Sequence, residues 1–277
     1  MINFAFFGTD QFATAVLDEL FSLGVVPTLI VTTPDKPQGR KMTLTPPPVK
    51  MWAKTKNIPF IQPVSLKTEP EILLAEPAYE LALVASYGKI LPQALLDLPR
   101  LGFVNIHPSL IPKYRGATPL EASILSGDTE TGVTLMQVDA EMDHGPILAQ
   151  EKFPLTDQDY FALRDQTAML GAQMFARILP DFVAGKIRAV AQDHTLATFT
   201  TKIKKTDGVI DLTGDPIQNY RKIRAYADWP GTYFFVEKDS KKMRILIKKA
   251  HLENGQLILD RVLPEGKKEM GWSNFQK

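Results

Sequence analysis

Residues 2–32 read INFAFFGTDQFATAVLDELFSLGVVPTLIVT, and this stretch decides the fold. The run 2–7 is short and apolar but for Asn3, as in a parallel strand buried on both faces. Gly8 interrupts it, and Thr9 or Asp10 supplies a side-chain oxygen that can cap a following helix. In that helix Phe12, Val16, Leu20 and Leu23 recur at steps of three and four, which places them on one buried face. Residues 28–32 then read as a second strand. Strand, helix and strand within about 30 residues make a βαβ unit, whose crossover is right-handed. The Gly8 turn lacks the G-x-G-x-x-G spacing of a dinucleotide site, so that ligand class is rejected.

The alternation continues down the chain. Strands are expected at 58–62, 81–85, 103–107 and 133–138. Helices are expected at 69–75, 92–98 and 119–125, with a long one over 161–184. In the long helix Leu163, Ala168, Leu170, Met174 and Phe175 face mostly inward, and Gly185 ends it. This pattern gives an α/β fold: a doubly wound, mostly parallel, Rossmann-like sheet with helices on both faces. After residue 205 the character changes. Segments 232–236, 244–249 and 257–262 are short and alternating or β-branched, and Asn254-Gly255 is a hairpin signal between two of them. The expected organisation is an α/β domain over 1–188, a polar linker over 189–205 and a smaller β-rich, barrel-like domain over 206–277.

Composition narrows the function. A chain of 277 residues with 44% hydrophobic residues can bury a substantial core. There are no cysteines, which excludes disulfides, thiolate zinc sites and cysteine nucleophiles. The first residues show no basic leader and no run reaches the length of a membrane helix, so a cytoplasmic protein that does not engage membranes is expected, acting as a monomer. The net charge of +1 hides an asymmetry. Residues 201–277 hold 16 Lys and Arg against 10 Asp and Glu, whereas residues 1–200 hold 16 against 21. A basic C-terminal region is either a polyanion contact or a solvated surface.

The chemistry concentrates at residues 103–119, FVNIHPSLIPKYRGATP, and at residues 141–148, EMDHGPIL. Asn105 and His107 alternate along a strand, so they share a face at its end, where open α/β sheets bind ligands. Asp143 follows 36 residues after His107, just past another expected strand. Amide, imidazole and carboxylate together suit acyl transfer to an amine: the first two can stabilise an oxyanion, and the carboxylate can orient or charge the imidazole. Such chemistry requires no metal. Taken alone, however, Asn-x-His also fits a loop cap, and Asp before a Gly-containing turn is common. Ser109 lacks a Gly-x-Ser-x-Gly elbow, so a Ser/His nucleophile is a poor reading. The loop over 34–49, with Lys36, Arg40 and Lys41, is either a phosphate contact or a solvated loop.

With these motifs in view, the chain resembles the folate-dependent formyltransferases. NIHPSLIPKYRGATP and EMDHGPIL look like the signature segments, with Ile111 standing third in the S-L-L-P turn. FFGTDQFA, TTPDKPQGR, PPPVK, IQPVSLK, VASYGKILP, GVTLMQVD, IRAYADWPGT and LPEGKKEM look like further blocks in the expected order, so the resemblance spans essentially the whole chain. It implies that Asn105, His107 and Asp143 are catalytic. It also implies that Ser109, Leu110, Ile111 and Pro112 line a folate site, with Tyr87, Gly88, Ile90 and Leu91 as another wall. The implied cosubstrate is 10-formyltetrahydrofolate, and the implied acceptor is initiator methionyl-tRNA, contacted by Arg40, Lys41 and the basic C-terminal domain. An amino-sugar nucleotide or other small amine is the alternative acceptor. A non-catalytic RNA-binding protein on a relic enzyme fold is the rival of another class.

Overall fold

The opening stretch folds as the expected βαβ unit: β1 (Phe4–Gly8), α1 (Gln11–Ser22) and β2 (Leu29–Val31), with β1 and β2 paired in parallel. Asp10 caps α1 by accepting from the Ala13 N–H at 3.1 Å. Phe12, Val16 and Leu20 are buried as expected, but Leu23 is 46% exposed. The helix ends at Ser22 and Leu23 is its C-cap, so its side chain leaves the apolar stripe. These coordinates are a computed structural model that describes residues 2–39, 41–67, 79–238 and 241–276. The expected helix over 69–75 lies outside the described residues.

Two compact units emerge. The first comprises Met1–Ala117, Gly132–Phe153 and Arg164–Phe199. Its sheet adds β5 (Phe60–Ile61), β6 (Leu81–Ala85), β7 (Phe103–His107), β8 (Glu130–Gln137) and β9 (Ile147–Pro154), in the order β5-β2-β1-β6-β7-β8-β9. Pairing is parallel from β5 to β7, then antiparallel between β7 and β8. The chain starts in the middle, runs to one edge, and resumes on the other side of β1 with β6. The reversal point, where such sheets bind ligands, therefore lies beside the carboxyl ends of β1 and β6.

Alternation along β1 divides the core. Phe4 and Phe6 join α1, α2 (Pro48–Lys56) and the 164–183 part of α5 (Tyr160–Val183) in one cluster. Ala5 and Phe7 face the other side with Val31, Tyr87, Phe103 and α3 (Gln93–Leu96). Each fully buried Phe contributes about 1.5–3 kcal/mol. The 34–49 loop is not structureless: β3 (Lys36–Gln38) and β4 (Thr43–Thr45) pair antiparallel within it. Asp35 anchors its base, accepting from Gln62 Nε2 at 2.8 Å and Lys50 Nζ at 2.7 Å. Those bonds, Gln62 first, hold the Asp35 carboxyl below its usual range. In the stretch read as a linker, Val190 bridges to Ile147 and Phe199 to Arg115.

The second unit comprises Thr118–Thr131, Pro154–Leu163 and Thr200–Lys277. It contains α4 (Pro119–Ser126), α6 (Pro216–Ala225) and α7 (Trp272–Phe275). Its sheet is antiparallel and four-stranded, with β10 (Tyr233–Lys238), β11 (Lys241–Glu253), β12 (Gln256–Pro264) and β13 (Met270–Gly271) in sequence order. Ile210, Phe234, Ile245, Ile247, Leu259 and Val262 form its core. The β11–β12 turn is the expected Asn-Gly hairpin, with Asn254 at φ 50° and Gly255 at φ 77°.

Candidate active site

Strand β7 presents Asn105 and His107 on one side, and His107 is only 4% exposed. Its ring is fixed by a 3.0 Å contact between Nε2 and the Tyr114 carbonyl. A carbonyl oxygen can only accept, so Nε2 carries a proton, and in the neutral ring Nδ1 is bare. That bare nitrogen lies 3.7 Å from Asp143 Oδ2. The imidazole is thus tethered at its far nitrogen and faces a carboxylate with its near one.

The route by which Asp143 arrives differs from the one the strand pattern suggests. Because β8 runs antiparallel to β7, it ends with Gln137 opposite Val104, away from His107. The 138–146 loop covers the remaining distance. Gln137 N–H donates to the Pro146 carbonyl at 2.9 Å and closes the loop at its base. Asp143 itself has φ 51°, a left-handed backbone. Its Oδ2 accepts from the Gly116 N–H at 2.7 Å, and Oδ1 lies 3.4 Å from Asn105 Nδ2. One carboxylate thus meets the amide, the imidazole and a backbone N–H, and the three expected residues converge.

The neighbouring 109–112 turn is rigid. Ser109 is wholly buried, and its hydroxyl donates to the Lys113 carbonyl at 2.7 Å. It therefore shapes the turn and has no free proton for a ligand. Thr134 of β8 donates to the Ser109 carbonyl at 2.7 Å and accepts from the Ile111 N–H at 3.2 Å. Gln150 of β9 donates to the Ile111 carbonyl at 2.9 Å and to Thr134 Oγ1 at 2.8 Å. Ile111 is buried, while Leu110 and Pro112 are partly exposed. Neither Thr134 nor Gln150 is picked out by sequence reasoning; a threonine inside the apolar run of β8 was the available signal.

At the second expected wall, the Tyr87 ring is buried edge-on against Phe7, in the same cluster as Phe103. Burial pushes its phenol up to about 12. Its backbone carbonyl accepts from Thr9 Oγ1 at 2.9 Å, tying the segment to the end of β1. Gly88 turns the chain at φ 74°, Leu91 is buried, and Ile90 is 87% exposed. Close by, Asp10 accepts a hydrogen bond from Ser86. Burial, partly offset by that bond, raises its carboxyl above the usual range. Lys41 is exposed, and Arg40 lies outside the described residues. Among the described residues no cluster of His, Cys, Asp and Glu could hold a metal ion, and no helix is long and apolar enough to cross a membrane.

A doubly wound sheet thus brings an amide and an imidazole at the end of β7 together with a carboxylate from the 138–146 loop. The formyl transferase family matches residues 2–179, and the formyl transferase C-terminal domain matches residues 202–256. A methionyl-tRNA formyltransferase of Geobacter sulfurreducens is 39% identical over 96% of this chain and 84% of its own. The chain belongs to the formyltransferase family, in its methionyl-tRNA formyltransferase branch. Two solved structures share the fold. A Clostridium thermocellum methionyl-tRNA formyltransferase matches at TM-score 0.61 and 18% identity, over 95% of this chain and 99% of its own. An N-formyltransferase of Helicobacter canadensis, in complex with folinic acid and dTDP-3-aminofucose, matches at TM-score 0.65 and 18% identity, over 92% and 89%.

Proposed function

We propose that this chain transfers the formyl group of 10-formyltetrahydrofolate to the amino group of methionine esterified to initiator tRNA, for translation initiation. The observation that carries the reading is the convergence of Asn105, His107 and Asp143 at distances of 3.4 and 3.7 Å. The amino nitrogen attacks the formyl carbon, and the carbonyl oxygen becomes an oxyanion. Asn105 Nδ2 donates to it, and a donor of this kind contributes about 3–4 kcal/mol. The attacking nitrogen gives its proton to His107 Nδ1, and Asp143 stabilises the imidazolium. The bond from the formyl carbon to the folate nitrogen then breaks, and His107 returns the proton to that leaving nitrogen.

Residues 1–188 hold this chemistry, 189–205 connect, and 206–277 bind tRNA together with Arg40 and Lys41. The charge excess of 201–277 supports that assignment. So does the exposed pair in which Lys242 lies 4.3 Å over the Phe235 ring, a combination suited to phosphates and bases. An amino-sugar nucleotide as acceptor rests on fold likeness at 18% identity, against 39% to a tRNA-directed relative.

Formylation of charged initiator tRNA by the purified protein tests the acceptor, and its absence refutes it. Activity should fall steeply with added salt, because tRNA phosphates release counterions on binding; a flat response points to the small acceptor. His107→Ala should abolish turnover with tRNA affinity nearly unchanged. Turnover near wild type in that variant rejects the mechanism.

A further inference from the structure

Residue Gln192 lies in the stretch read as a linker, yet it is only 6% exposed. Every hydrogen-bonding position of its amide is used. Nε2 donates to the backbone carbonyls of Asp143 at 3.0 Å and Gly145 at 2.7 Å. Oε1 accepts from Arg115, from Nε at 3.2 Å and from a terminal nitrogen at 2.5 Å. The orientation of the amide is forced. A guanidinium only donates, so it must face the oxygen, and carbonyls only accept, so they must face the nitrogen.

Arg115 is itself buried. Its guanidinium also meets His194 Nδ1 at 2.8 Å and lies 5.8 Å over the Phe199 ring. The Gln192–Arg115 pair is thus fixed on one side and grips the 143–145 turn on the other. That turn needs a grip. Asp143 sits at φ 51°, a region that costs a non-glycine residue about 1 kcal/mol or more. At Gly145 the loop closes on itself so tightly that a Cβ would stand 2.1 Å from the Gln137 carbonyl.

We infer that Gln192 is a positioning residue for formyl transfer: its amide pins the 143 and 145 carbonyls and so aims the Asp143 carboxylate at His107. The inference rests on the catalytic reading of Asp143 given above. Gln192 makes no bond to Asn105 or His107; it bears on the site through the 143 and 145 carbonyls and through Arg115. A displacement of about 1 Å in such a group can cost a hundredfold in rate.

The test is a double-mutant cycle on formylation of charged initiator tRNA, with kcat and KM measured for both substrates. Gln192→Met should lower kcat about tenfold to a hundredfold and leave both KM values within about threefold, because the site is misaimed rather than emptied. In the Asp143→Asn background the same change should cost less than about twofold, since the group it positions is already disabled. Gln192→Glu keeps an oxygen for Arg115, replaces the N–H donors with a second oxygen and adds a negative charge beside the guanidinium. It should lose kcat as Gln192→Met does, and it serves as the probe if the methionine variant fails to fold. Wild-type kcat in a folded Gln192 variant while Asp143→Asn is inactive overturns the inference alone. An equal loss in the wild-type and Asp143→Asn backgrounds also overturns it. Wild-type kcat in Asp143→Asn overturns the catalytic reading and the inference together.

Discussion

Thr134→Val should destabilise the protein by about 3 kcal/mol, although the two side chains have nearly the same shape. Thr134 is fully buried. Its hydroxyl donates to the Ser109 carbonyl and accepts from the Ile111 N–H, so valine deprives two buried backbone groups of their partner. Each such group costs about 1–3 kcal/mol. Gln150 keeps the Ile111 carbonyl as an acceptor, so it is not orphaned. The new methyl returns about 0.8 kcal/mol of apolar burial. The net is about 1–5 kcal/mol, centred near 3. Thr134→Ser reverses the trade: it keeps the hydroxyl and loses a methyl, for about 1 kcal/mol. Urea unfolding of both variants, monitored at equilibrium, decides between hydroxyl and methyl. Because the 109–112 turn borders the proposed folate site, KM for the folate should also rise in the valine variant. A valine variant as stable as wild type, or more stable than the serine variant, refutes the claim that this hydroxyl holds the turn.

Three further outcomes follow from single positions. Burial raises the Asp10 carboxyl in the folded protein, so ionising it costs stability that is fully present below pH 3.8 and lost as pH rises through the raised value. Asp10→Asn keeps the helix cap and should gain in melting temperature relative to wild type at pH 7, with the gain vanishing near pH 3.5. Gly8→Ala places a Cβ 2.6 Å from the Phe6 ring and 2.9 Å from the Ala85 carbonyl; it should cost about 3 kcal/mol or more in chemical denaturation. Gly255→Ala meets open space but keeps φ 77°, so backbone strain alone should cost about 1–2 kcal/mol, read as faster amide exchange in β11 and β12.

Elements with a strong apolar rhythm were legible from sequence. The expected strands 81–85 and 103–107 match to the residue, because the first is fully buried and the second is buried at all but Asn105, each between turn residues. The long helix, expected over 161–184, spans Tyr160–Val183. Elements whose faces are mostly polar were missed. The edge strand β9, ILAQEKFP, is half exposed along its length. Helix α6, PIQNYRKIRA, buries only Asn219 and Ala225, and α2 buries three residues of nine. In such elements tertiary contacts, rather than periodicity, supply the stability.

The same distinction explains why the three proposed catalytic residues are conspicuous in the sequence while their support is not. Side-chain chemistry is written in the residue types, so Asn105, His107 and Asp143 stand out. The atoms that orient them are backbone atoms: the Tyr114 carbonyl on His107, the Gly116 N–H on Asp143, and the Asp143 and Gly145 carbonyls held by Gln192. Two of these atoms belong to non-glycine residues in the left-handed region, Tyr114 at φ 62° and Asp143 at φ 51°. Tyrosine does not signal that conformation and aspartate does so only weakly; it costs about 1–2 kcal/mol in a non-glycine residue. It persists because side-chain hydrogen bonds from distant segments, buried 192 on 143 and exposed 198 on 114, outweigh the strain. A polar residue buried for that purpose looks in sequence like any other residue of a loop, so the supporting frame becomes visible only once the chain is folded.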